Sequence, residues 1–305
     1  MGILEIDKLY KKFGSHEVIR GLDMDIPEHS IFGFVGQNGA GKTTTMKMVL
    51  GLLKPDSGTI KVCGERVTYG ETRTNHYLGY LPDVPEFYDY MTPMEYLRLC
   101  GEITGLPKEK IRKKSEELLS LVGLENHKRK ITGFSRGMKQ RLGIAQALLN
   151  EPRLLICDEP TSALDPIGRK EILDILSAIK GKTTVIFSTH ILSDVERICD
   201  HVAILNRGQL TLSGSLAEIK MQYRHNGYII EFAGEKEASE FAGIEALKRP
   251  AVEVSRDRAV VTVMISDRNV GGQFLISLLS EKRMVPMKFE IMEPTLESLF
   301  TEAVK

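Results

Sequence analysis

The chain of 305 residues sets 41 Lys+Arg against 41 Asp+Glu, a formal net charge of zero. That disfavours a partner held mainly by phosphate neutralisation, since nucleic-acid binders usually carry a basic excess. With 42% hydrophobic and 27% charged residues, the composition is that of an ordinary soluble protein with room for one large domain and a smaller second one.

The longest apolar runs fall far short of the about 20 residues that cross a bilayer. The opening MGILEIDKLYKKFG has no secretory apolar region and reads as a cytosolic start. Ile6 stands where the myristoylation pattern begun by Met1-Gly2 needs Ser or Thr. Cys63, Cys100, Cys157 and Cys199 have no metal-like spacing and read as free thiols in a reducing compartment.

In chain order, residues 3–9 and 18–26 read as opening strands, and residues 31–35 as a short apolar strand before a glycine-rich turn. A helix is expected from about Lys42, then a turn at residues 55–58 and a strand at 59–62. Residues 91–150 change to helical patterns (MEYLRLCGEI, KIRKKSEELLSLVGL, QRLGIAQALL), the sign of a helical subdomain inserted in a sheet. Strands return at 154–157 and 183–187. Between them Pro166 opens a helix whose apolar stripe, Ile172, Ile175, Leu176 and Ile179, stops at Gly181.

A seam is expected at residues 223–227. Beyond it the order is strand 228–232, helix 236–247, strands 251–255 and 259–265, helix 270–282 and strand 286–291, with a terminal helix from about Thr295. That order is the split βαβ, ferredoxin-like arrangement. The expected fold is therefore α/β: a phosphate-loop cassette with a mixed sheet core and inserted helices over residues 1–222. A small α+β domain follows over 223–305.

The segment GQNGAGKTT fills the G-x-x-x-x-G-K-[ST] pattern with Gly36, Gly41, Lys42 and Thr43. A loop wrapping a polyphosphate must turn several backbone N–H groups inward, and glycine tolerates the angles this needs. Gly36, Gln37, Asn38, Gly39, Ala40, Gly41, Lys42, Thr43 and Thr44 are the expected cradle for the phosphates of a nucleotide. The following helix offers its positive end, Lys42 its charge to the outer phosphates, and Thr43 a hydroxyl ligand for Mg²⁺.

LLICDEP, residues 154–160, places two carboxylates after an apolar run. Asp158 is expected to hold Mg²⁺ and Glu159 to polarise the attacking water as general base. His190 closes the run TTVIFSTH at the same sheet edge, where it is suited to contact the γ-phosphate.

The segment GFSRGMKQRLGIAQALL, residues 133–149, resembles the signature of the ATP-binding-cassette (ABC) family, usually written LSGGQ. Ser135 and Gly137 fall on matching positions, followed by Gln140 and Arg141. The resemblance implies that two cassettes pack head to tail, each signature closing over the ATP of the other. It also implies that Asp165, in SALD, lies in the loop crossing that interface, and that Phe13 stacks on adenine.

Two departures are visible. Arg136 and Met138 replace the usual Gly and Gln of the signature, which leaves activity expected to survive. Asp83 replaces a glutamine that in the family touches Mg²⁺ or the attacking water, so its contact with the metal and nucleotide is in question while its place in a hinge segment is not.

The YLP opening of that hinge, the SRGMKQR signature and the ending EPTLESLF resemble the subfamily serving type-2 export systems. The implied function is ATP hydrolysis driving a separate transmembrane permease, with a second cassette, identical or a paralogue, as the other partner. The implied position is peripheral, at the cytoplasmic face of the cell membrane. No nucleic-acid partner is expected. Residues 87–91 are candidates for the permease groove, or equally for a core aromatic cluster. The competing readings are a soluble cassette ATPase acting on nucleic acid, ribosomes or iron–sulfur assembly, and an unrelated phosphate-loop kinase or GTPase.

Overall fold

The structure, a computed structural model, describes residues 2–125, 129–222, 227–249, 251–265, 268–292, 295–297 and 299. They form two compact units, Met1–Leu216 and Ala217–Glu302.

In the first unit, β1 (Leu4–Phe13) and β2 (His16–Ile26) make a hairpin. Strand β3 (Ile31–Val35) leads through the glycine-rich loop into helix α1 (Lys42–Val49). Strands β4 (Ser57–Val62) and β5 (Glu65–Arg66) complete an antiparallel sheet in the order β2-β1-β4-β5. After β6 (Leu78–Leu81) come α2 (Pro93–Ile103), α3 (Lys108–Leu121) and α4 (Arg136–Leu148). The unit continues with β7 (Leu154–Asp158), α5 (Pro166–Ala178), β8 (Thr184–Thr189) and α6 (Leu192–Ile198). It ends with β9 (His201–Asn206) and β10 (Gln209–Ser215), and α7 (Leu216–Gln222) follows.

The second sheet of this unit runs β10-β9-β3-β8-β7-β6, parallel throughout except for the β9–β10 hairpin. Every residue of β3, β7 and β8 is buried. Their near-continuous apolar runs are what a parallel sheet covered on both faces requires. Phe32, Phe34, Ile156 and Ile186 share one core with Ile6 and Leu22 of the antiparallel sheet and Met46 of α1. The ladder brings the carboxyl ends of β3, β8 and β7 side by side, the edge where open α/β sheets bind ligands.

The inserted helices start where their caps dictate. Thr92 and Glu95 form a reciprocal capping box, Glu95 N–H to Thr92 Oγ1 at 3.3 Å and Thr92 N–H to Glu95 Oε2 at 2.8 Å, with Pro93 in the first turn. Strands β5, β6, β9 and β10 and helices α6 and α7 are additions to the elements expected from the sequence.

In the second unit, β11 (Gly227–Glu231), α8 (Glu235–Ala242), β12 (Val252–Asp257), β13 (Val260–Ile265), α9 (Arg268–Glu281) and β14 (Lys288–Ile291) follow the expected βαββαβ order. The sheet order β12-β13-β11-β14, antiparallel throughout, is that of the split βαβ. Tyr228, Ile230, Phe232, Phe241, Val263 and Leu275 anchor its core. Helix α8 ends at Ala242, with Gly243 as its C-cap, rather than at residue 247; a separate 3₁₀ turn occupies Glu245–Leu247. The expected seam lies outside the described residues except for Gly227. Of the expected terminal helix only residues 295–297 and 299 are described.

Candidate nucleotide site

The loop from Gly36 to Gly41 leaves β3 and caps α1 under tight spatial limits. Gly41 caps the helix at φ 111°, and a Cβ there would meet Ile19 Cδ1 at 2.5 Å and the Val18 carbonyl oxygen at 3.1 Å. A Cβ on Gly36 would meet the Leu205 carbonyl oxygen at 2.6 Å. Both positions exclude a side chain, and they press the loop between β2 and β9. Gln37, Asn38 and Gly39 are exposed and Ala40 is buried. Thr43 is exposed on the first turn of α1, next to half-buried Thr44.

Lys42 is 6% exposed. Its Nζ donates to the carbonyls of Gly36 at 2.6 Å and Gln37 at 3.3 Å, and lies 3.2 Å from Glu159 Oε1. That last contact is an ion pair without hydrogen-bond alignment: Glu159 Oε1 is buried and takes no aligned donor among the described residues. The other oxygen, Oε2, lies 3.0 Å from His190 Nδ1. Asp158, at the end of β7, accepts from Ser188 Oγ at 2.6 Å. Ser188 in turn accepts the Glu159 N–H at its backbone oxygen (3.2 Å) and at Oγ (3.1 Å). Glu159 sits at φ 48°, which turns its side chain out of the strand alternation.

Lys42, Asp158, Glu159 and His190 are therefore brought together, with Ser188 as the clasp between the two strand ends. Tyr80 of neighbouring β6 is pushed up to about 12 by burial, with the Asp158 and Asp83 carboxylates adding to the effect.

Other expected residues stand apart from this junction. Ser135 caps α4, its Oγ accepting from the Met138 N–H at 3.3 Å. Gly137 is half-buried in the first turn, where an added Cβ would come to 3.9 Å from Leu164 Cδ2 of the SALD loop. Asp165 is exposed and caps α5, accepting from the Gly168 N–H at 2.7 Å. Asp83 lies 3.3 Å from Arg136 Nη2, so the two departures from the family pattern are partners. Phe13 is half-exposed at the tip of the β1–β2 hairpin, with Lys11 Nζ 5.3 Å from its ring centroid.

Sequence reasoning missed one buried group. Asp194, 3% exposed in α6, accepts from Thr161 Oγ1 at 2.8 Å and from Arg169 Nη2 at 2.6 Å. The available signal was an acidic residue next to Val195 on the inward face of a short helix.

A phosphate loop between a parallel strand and a helix, with a carboxylate-bearing strand two places away in the sheet, defines a phosphate-loop nucleoside triphosphatase. The "ABC transporter" family profile matches residues 19–162, and that of the "ATP-binding protein DrrA1-3-like, C-terminal domain" matches residues 214–304. YxlF of Bacillus subtilis (strain 168), an uncharacterised ABC transporter ATP-binding protein, is 39% identical over 308 residues, 99% of each chain. The bacitracin transport ATP-binding protein BcrA of Bacillus licheniformis is 42% identical over 211 residues, 68% of each chain. A solved ATP-binding subunit of an ABC transporter is 33% identical and superposes with a TM-score of 0.65, over 72% of this chain and 93% of its own. The chain belongs to the ABC transporter ATP-binding proteins, whose cassettes hydrolyse ATP to drive transport. No helix among the described residues is long and apolar enough to cross a membrane.

Proposed function

We propose that this chain is the ATP-hydrolysing subunit of an export system: two cassettes pair head to tail around two ATP molecules, and a separate permease converts their closure into transport. The observation that carries the reading is the junction of Lys42, Glu159 and His190 at the carboxyl ends of β3, β7 and β8. Two relatives named for bacitracin transport, from Bacillus licheniformis and Enterococcus faecalis, support a system of the kind that handles antibiotics. The permease selects the substrate.

Within each cassette, residues 36–44 bind the phosphates through backbone N–H groups and the amino end of α1. Lys42 neutralises the outer phosphates, exchanging its loop carbonyls and Glu159 for the nucleotide. Glu159, released from Lys42, takes a proton from the attacking water, and His190 holds its carboxylate in line. Thr43 and Asp158 would hold Mg²⁺. Their hard oxygens, one hydroxyl and one carboxylate, fit an ion that keeps waters and substrate phosphates as its other ligands. When bound, it offsets phosphate charge as the bond to the leaving group breaks. Asp83 would have to give up Arg136 to serve the metal. Phe13 stacks on adenine, Ser135 and Gly137 meet the partner's nucleotide, and Asp165 crosses the interface.

The test is to tag the full chain in its host, extract membranes in mild detergent and identify what co-purifies. A multi-spanning permease is the expected result. Soluble partners alone, with ATPase activity intact, would move the chain to the non-transport cassettes. In the purified protein, Lys42→Ala is expected to weaken ATP binding at least about tenfold. Glu159→Gln should retain ATP, fail to hydrolyse it and form a dimer visible by light scattering with ATP and Mg²⁺.

A further inference from the structure

The turn that leaves Glu159 is strained, and it is tied down on both sides. Glu159 and Ala163 sit at φ 48° and 53°, a conformation that persists in residues with side chains only where the surroundings over-determine it. On one side Ser188 holds the Glu159 N–H. On the other, Thr161, fully buried within the same turn, donates its hydroxyl to Asp194.

Asp194 is also the partner of Arg169, which lies in the turn after the Asp165 cap of α5. Asp194 itself stands in the first turn of α6, four residues beyond His190. One buried carboxylate thus joins the turn after Glu159, the helix that begins at Asp165 and the helix that follows His190.

An ion pair with one buried partner is weak support for stability, because apolar side chains of similar volume often hold two helices as well. What an apolar pair does not supply is the directional bond to Thr161. We propose that Asp194 is a positioning residue for ATP hydrolysis: through Thr161 and Arg169 it fixes the turn that presents the Glu159 carboxylate to His190. It acts through these groups and touches neither nucleotide nor water. The inference rests on the roles proposed above for Glu159 and His190.

Steady-state ATPase of the full-length chain tests it. Asp194→Asn leaves Arg169 without its counter-charge, so Thr161→Val, which removes one hydroxyl and keeps the branched shape, is the deciding variant. Thr161→Val is expected to lower kcat about tenfold with KM for ATP unchanged, the mark of lost orientation rather than lost binding. Thr161→Ser, which keeps the hydroxyl, should turn over as wild type. The double variant Thr161→Val/Asp194→Asn should be no slower than its slower parent, since the two residues act as one unit.

A wild-type kcat in Thr161→Val, an equal loss in Thr161→Ser, or losses that multiply in the double variant would overturn the proposal. Glu159→Gln, assayed alongside, separates the two levels. If it turns over as wild type, the catalytic roles fall and this inference with them. If it is inactive while Thr161→Val is not impaired, the inference alone falls.

Discussion

Arg136 places a cation on the first turn of α4, the positive end of a helix dipole, where that sign of charge is unfavourable. Asp83 answers it at 3.3 Å, with both side chains nearly half exposed, and Gln140 Nε2 fastens the same segment, expected from the resemblance to act as a hinge, by donating to the Asp83 carbonyl at 2.6 Å. An exposed pair of this kind contributes about 0.2–1 kcal/mol, enough to bias the resting position of that segment but not to hold it against a bound nucleotide. Asp83→Asn and Arg136→Gln are each expected to loosen the hinge and change ATPase turnover a few-fold, while exchanging the two charges (Asp83→Arg with Arg136→Asp) should recover part of the loss. A double-mutant cycle with no coupling would show that the pair is incidental.

Among elements, the hairpin tip that carries Phe13 is moored to the turn before β4. Asp56 takes the Lys12 N–H at 2.7 Å and Lys11 Nζ at 3.0 Å. The backbone bond from Lys12, then the Lys11 ammonium, hold its carboxyl below the ordinary value near 3.8. A depressed carboxylate stabilises the fold above its unfolded pKa and loses that contribution as pH falls through the folded value. Asp56→Asn is therefore expected to be less stable than wild type at neutral pH, with the two denaturation curves converging on acidification below that window.

The catalytic strands are legible because they are wholly apolar up to the residues that carry the chemistry. The buried strands at 31–35 and 154–158 are unbroken apolar runs that end in chemistry-bearing residues, so Lys42, Asp158, Glu159 and His190 all follow from local pattern. Strand β6 has only four residues and α6 seven, too short for a periodicity to show. The expected helix 236–247 runs past Gly243, where the structure instead ends α8 and sets Leu247 in a separate 3₁₀ turn, capped by Ile244, against the same core. The significance of Asp194 could not be read locally for another reason: it lies in Thr161 and Arg169, which only the fold brings to it.

For the whole molecule, the thiols separate the two units. All four cysteines are free and lie in Met1–Leu216. Burial raises the pKa of each, most in Cys157 and Cys199, and a thiol kept protonated is a poor nucleophile. The native chain is expected to react slowly with a thiol reagent at neutral pH and to expose four thiols on denaturation. Because Ala217–Glu302 contains none and has its own core, thiol exposure should follow only the cassette. Circular dichroism follows both units, so noncoincident denaturant curves from the two probes are the expected outcome.

The place of β3 in its sheet also sets when the nucleotide site comes into being during synthesis. β3 finds both its neighbours in β8 and β9, far later in the chain, and such distant parallel pairing forms slowly. A nascent chain that has emerged only through α4 has the whole phosphate loop and nothing on either flank of the strand that carries it. β11 repeats the arrangement in the second unit, since its partners β13 and β14 are made after it. The phosphate-loop residues leave the ribosome well before β8 and β9, and the site they build waits for the strands that close the sheet.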